Sequence, residues 1–98
     1  MYRHGDVFIA ASDSLPEDAR KLRHVVLAEG EITGHAHRVR ERDVAELFQH
    51  GDDRYLNVFG ERATLIHEEH AEIELPRGIY RVWIQREYSP EAIRRVVD

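Results

Sequence analysis

Alternation of apolar and polar side chains, the pattern of a half-buried strand, runs through most of this chain. "DVFIAASD" (residues 6–13) predicts a short strand that runs into Ser/Asp turn chemistry, and "LPEDARKL" supplies Pro16 and acids for a single helical turn. In "HVVLAEGEITGHAHRVR" an apolar run ends at "EGE" and is followed by an alternation that places Thr33, His35, His37 and Val39 on one face, which predicts a hairpin over residues 24–40. Between 41 and 53, Val44, Leu47 and Phe48 stand at helical spacing before Gly51, so a short helix or an excursion loop over the mouth of a barrel fits better than a strand. Farther on, "RYLNVF" leads through Gly60 and Glu61 to "RATLIH". "HAEIEL" leads through a turn at Pro76 and Gly78 to "IYRVWIQREY", where Tyr80, Val82 and Ile84 share a face. Ser89 as N-cap and Pro90 at the first helical position open a short terminal helix that packs Ile93, Val96 and Val97.

Six or seven short strands with two small elements of helix describe a mainly β fold, a small single-domain β-barrel or sandwich over residues 1–98 with a short C-terminal helix. A chain of 98 residues supports one core, so any site must share it. Hydrophobic content of 42% against 34% charged residues is a globular balance without low-complexity segments.

Charge and cysteine content narrow the chemistry. A net charge of −5 argues against bulk attraction to nucleic acid or membrane, although Arg38, Arg40 and Arg42 form a local basic face that is either a phosphate contact or a solvated strand surface. No apolar run reaches the roughly 20 residues that span a bilayer, and "MYRHGDVFIA" lacks an export signal, so the expected location is cytoplasmic. The absence of cysteine excludes disulfides, thiolate metal sites and a cysteine nucleophile, which leaves His, Asp and Glu as the metal-binding repertoire.

Seven histidines are present, and chance alone supplies roughly half an HxH pair, so spacing has to be read in context. In an extended strand His35 and His37 project to one side, where both ring nitrogens reach a common ion at about 2 Å. In a regular strand His67 and His70 face opposite ways. A bulge or tight bend at Glu68 and Glu69 brings them together, so a shared site predicts an irregularity at 68–69. "HEEH" matches neither HExxH nor HxxEH, and its flanks are strand-like, which rejects a zincin. His4, His24 and His50 read as surface residues, with His4 the one of the three to watch.

"HAHRVRE", with His35, His37 and Glu41, resembles the first metal motif of the cupins, HxH followed after three or four residues by Glu, and "LPRG", with Pro76 and Gly78, is similar to the PxG turn of their second motif. The resemblance covers about 45 residues. It implies a small β-barrel with the metal between strands inside the barrel mouth, and Glu41 among the ligands. The remaining cupin histidine follows PxG, whereas here Arg81 stands there and His67 and His70 come before it.

The candidate metal ligands are therefore His35, His37, His67, His70 and Glu41, for a divalent transition metal among Zn, Fe, Ni, Mn and Cu. Glu68 and Glu69 are either a charged strand edge or carboxylates placed to take a proton from metal-bound water. Arg86 and Tyr88 fall on the face of Tyr80, Val82 and Ile84, either as active-site groups or as a strand end emerging into solvent. Three functions compete: a metal-dependent enzyme with a small-molecule substrate, a metal-independent phosphodiester or nucleotide-processing enzyme using histidine acid and base, and a non-enzymatic interaction module. A homodimer would complete the site or cover an exposed strand edge.

Overall fold

The computed structural model describes residues 1–29 and 35–84. Among these residues eight strands follow in order: β1 (Tyr2–His4), β2 (Val7–Ser12), β3 (Arg20–Lys21), β4 (Val26–Glu29), β5 (Ala36–Val39), β6 (Ala45–His50), β7 (Asp53–Ile66) and β8 (Ile73–Ile84). They form one antiparallel sheet in the order β1-β2-β8-β7-β5-β4, with β6 beside the first half of β7 and β3 beside β6. The sheet forks at β7, whose residues 53–58 pair with β6 and whose Leu65 and Ile66 pair with β5. Among the described residues no pairing joins β1 to β4 or β3, so the curled sheet stays open and does not close into the small β-barrel or sandwich that the sequence suggested. Within residues 24–40 the expected hairpin is present as β4 and β5, with a register shift between Val26 and Ala28.

Glycines that tolerate a left-handed backbone make the tight connections. The β1–β2 and β6–β7 hairpins have two-residue loops, Gly5-Asp6 and Gly51-Asp52, with the glycine first at φ +66° and +61°, the placement that type II′ turns require. Gly51 thus closes a hairpin and does not end a helix: residues 45–50 are a strand in which Leu47 is the fully buried member. The segment at Pro16 is a turn closed by a bond from Ala19 N to the Pro16 carbonyl at 3.1 Å. The short C-terminal helix, Arg86 and Tyr88 lie outside the described residues, as does Thr33.

The largest departure from the sequence pattern is that two expected hairpins are two long strands. Asp53–Ile66 and Ile73–Ile84 run through Gly60 and through Pro76 and Gly78 without turning, and they pair with each other along most of their length. Their register shifts between Val58 and Arg62. Phe59 N and Gly60 N both donate to the Val44 carbonyl, at 2.9 and 3.0 Å. A Cβ on Gly60 would lie 3.0 Å from the Val44 Cβ, so glycine lets β6 approach the bulge.

This irregularity reverses which positions face inward. Leu56 and Val58 are buried before it and Ala63 and Leu65 after it, and on β8 Leu75 precedes the reversal and Tyr80 and Val82 follow it. All seven join Val7, Ile9, Leu27, Val39 and Leu47 in one core on the concave face. Removing any one of its large side chains would cost about 2–5 kcal/mol. Arg54 reaches across the curl, donating to the Val26 and Leu27 carbonyls at 2.6 and 3.2 Å, which ties the irregular edge strand β4 to the fork.

Candidate metal centre

At one end of the core the concave face changes from aliphatic to imidazole. On β5, His37 shares the inward parity of Val39, and both are buried. On β1, His4 lies at the strand end just before the Gly5-Asp6 turn and is only 2% exposed. His67 and His70 stand on the connection between β7 and β8, where the backbone bends over residues 68–70, at the irregularity that a shared site requires. His35 immediately precedes β5. Strand order places β1 and β5 far apart in the sheet, so these residues meet only because the sheet curls.

The four histidines of the two sequence pairs converge, and His4 joins them. Ring centroids are 4.2 Å apart for His37 and His67, 4.6 Å for His67 and His70, 4.9 Å for His4 and His37, and 5.6 Å for His35 and His67. Gly5 forms part of the wall. A Cβ there would lie 2.5 Å from His70 Nε2 and 3.2 Å from His37 Cε1, so a side chain at this position would displace a ring. The spacing of residues along the chain places neither His4 nor Gly5 at the site, yet Gly-Asp between alternating positions is a hairpin signal that would have put His4 on a strand.

Hydrogen bonds set the state of the deepest rings. His4 Nε2 lies 2.9 Å from the Ala71 carbonyl, and His4 Nδ1 lies 2.8 Å from His37 Nδ1. Burial, reinforced by the neighbouring His67 and His4, pushes the His37 pKa down to about 4. Burial is also the main cause of the lowered pKa of His4. Both rings are therefore neutral near pH 7, the state in which imidazole ligates a metal. Asp6 Oδ1 stands 3.6 Å from His37 Nε2, too long for a hydrogen bond. Two ligands on a tetrahedral ion at about 2.1 Å lie about 3.4 Å apart.

His35, His67 and Glu68 each offer a donor atom, all within 4.8 Å of one another. Two nitrogens and a carboxylate oxygen form a donor set suited to a divalent transition metal, and rotation of partly exposed side chains can close that spacing. His67 Nδ1 accepts from Glu69 N at 3.0 Å. For His67 to ligate through Nε2, its proton would move to Nδ1 and this bond would be given up. Glu68 is exposed and its pKa is lowered, first by its own backbone N–H. Its Oε2 accepts from Ala36 N at 3.2 Å, which fastens the 68–70 bend to β5. Glu69 Oε1 lies 3.6 Å from His35 Nδ1.

Glu41 stands apart from the histidines. Its Oε1 accepts from Thr64 N at 2.7 Å and its Oε2 from Thr64 Oγ1 at 2.6 Å. Burial raises its pKa, but the Thr64 bonds and the Arg40 charge together outweigh that and hold it low. Thr64 is the fully buried polar residue that this carboxylate satisfies, so Glu41 has a structural role here. On the basic face, Arg40 pairs with Glu72 at 3.0 Å and Arg38 lies 3.7 Å from Glu68. His24 is exposed, and His50 is half-exposed and pairs with Asp18 at 2.9 Å. An open cleft of about 810 Å³, lined by Lys21, Arg40, Glu46 and Phe59 among others, contains none of the five clustered histidines. Within it Lys21 and Glu46 pair at 3.3 Å.

No helix among the described residues is long and apolar enough to cross a membrane. Residues 3–85 match the family model described as Domain of unknown function (DUF8820). No curated protein and no solved structure matches the chain.

Proposed function

Since the chain belongs to DUF8820, a domain family of unknown function, we propose its function from the site itself: it binds a divalent transition metal through His35, His37, His67 and Glu68, with His70 at the rim, as a small metal-dependent enzyme. The observation that carries this reading is the convergence of five imidazoles from three separate chain segments, two of them buried and held neutral. Burying polar rings is unfavourable without a compensating role, and a structural core at this end would be served by the aliphatic residues used elsewhere. When bound, the ion would supply Lewis-acid polarisation and a water acidified toward neutral pH. The chain's own residues do the rest. His37 presents a neutral ring from a rigid strand, Glu68 holds the bend against β5, and Glu69, exposed beside His35, is placed to accept a proton. The cupin resemblance supports the reading through His35 and His37 alone, since Glu41 bonds to Thr64. The partners in this proposal are a small-molecule substrate and a second copy of the chain covering an open sheet edge.

The test is metal content by plasma mass spectrometry of protein purified without a histidine tag, beside a variant carrying His35→Ala and His67→Ala. About one metal per chain in the parent, lost in the variant, is the expected result. A metal-free parent that also takes up no added Zn, Ni or Fe would overturn the reading. Turnover of a phosphodiester or nucleotide substrate in excess chelator would replace it with metal-independent histidine catalysis.

A further inference from the structure

We infer that His4 is a positioning residue that fixes His37 as the Nδ1–H tautomer and so presents the lone pair of His37 Nε2 as a ligand; this rests on the metal-binding reading of the site. The argument follows the protons along one hydrogen-bonded chain. The Ala71 carbonyl can only accept, so His4 Nε2, 2.9 Å away, carries a proton. In a neutral ring His4 Nδ1 is then an acceptor. The atom 2.8 Å from it, His37 Nδ1, must donate. A neutral His37 with its proton on Nδ1 has a bare Nε2. At Nε2 the carboxylate oxygen within reach, Asp6 Oδ1, is 3.6 Å away, too long for a hydrogen bond that would hold a proton there.

The same geometry removes His4 itself from the ligand set, because both of its nitrogens are engaged inside the protein. Its role is that of an outer partner which sets the tautomer and orientation of a ligating histidine, a role usually filled by a carboxylate or a backbone carbonyl. Here the carbonyl of Ala71 acts one ring removed, so the β7–β8 connection that carries His67 and His70 also orients His37 through His4.

The experiment uses the metal-free, nitrogen-15-labelled protein at about pH 8, above the ordinary histidine pKa of about 6.5. Long-range proton–nitrogen correlations of the rings report the tautomer, and competition with a chromophoric chelator reports zinc affinity. Parent, His4→Phe and His4→Asn are compared. Phe keeps the ring and removes both nitrogens, whereas Asn returns an acceptor near the position of Nδ1. The expected result is Nδ1–H His37 in the parent, a shift toward Nε2–H in His4→Phe with zinc bound about 10- to 100-fold more weakly, and partial recovery of both in His4→Asn. A parent His37 protonated at Nε2 overturns the inference, as does unchanged zinc affinity in His4→Phe. If the parent binds no zinc, the metal reading fails on its own and the tautomers alone decide the role of His4. If His4→Phe does not fold, the parent spectrum and His4→Asn decide it.

Discussion

Acid should destabilise the metal-free protein through His37 before the carboxylates matter. In the folded state its pKa lies at about 4, against 6.5 for the ordinary side chain. The unfolded chain therefore binds a proton that the native state refuses. The stabilising state is the neutral one, so stability is full above about pH 6.5 and falls as pH drops toward 4, where the folded protein at last protonates. A difference of about 2.5 units at about 1.36 kcal/mol each gives a loss of about 3 kcal/mol, of which about 2 kcal/mol is already gone at pH 5. Against a typical domain stability of about 5–15 kcal/mol this is a large fraction. The measurement is urea unfolding in chelator between about pH 8 and 5, on the parent and on His37→Gln, which carries no titrating group at that position. Other ionisable groups contribute to both proteins and cancel in the difference. Parallel pH profiles, differing by less than about 0.5 kcal/mol, would refute the reasoning, because His37 would then titrate alike folded and unfolded.

Four further outcomes follow from named contacts. Gly5→Ala should lose about 1–2 kcal/mol from its left-handed backbone plus the displacement of His70, whereas Gly51→Ala, with a similar φ but nothing within 4 Å, should lose the backbone part alone; equal losses in thermal unfolding would show that His70 does not crowd Gly5. Thr64→Val removes the donor to Glu41 Oε2 and leaves that carboxylate short of a partner, for a loss of about 1–3 kcal/mol in denaturant titration. Glu41→Gln should leave metal content unchanged, and a loss of metal would restore Glu41 to the ligand set that the cupin resemblance implies. Zinc at about 100 times its dissociation constant should stabilise the parent by about 2.7 kcal/mol, and an unmoved melting temperature would deny binding to the native state.

Much of the sheet is legible in the alternation, because β2, β5 and the inward halves of β7 and β8 each bury one face. The departures come from local signals with two meanings. Val44, Leu47 and Phe48 fit a helix as well as a strand, since a short apolar run does not distinguish the two periods. What decides is Gly51, a hairpin glycine rather than a helix end. Gly60, Pro76 and Gly78 read as turns when each strand is taken alone. In the fold they lie near one another across the β7–β8 pair, where the register shift accommodates them. The two histidine pairs are legible from spacing and from the required bend. His4 is hidden because its strand has only three residues and pairs through a turn marked by no more than Gly5 and Asp6. The curl that carries His4 to His37 is a tertiary outcome that no local pattern encodes.

The reversal of facing in β7 and β8 has a consequence for how the chain tolerates change. It acts as a frame marker: the two strands reverse together, so side chains beyond it count inward from a new origin. Deleting one residue from Phe59, Gly60 and Glu61 would leave the β8 reversal without its counterpart. Either Ala63 and Leu65 or their partners would then turn to solvent, and the displaced frame would carry forward to His67. Length variation should therefore be absorbed before this point, at loops such as residues 13–19, and excluded after it, so that insertion scanning would trace the boundary between a permissive scaffold and a metrically fixed site.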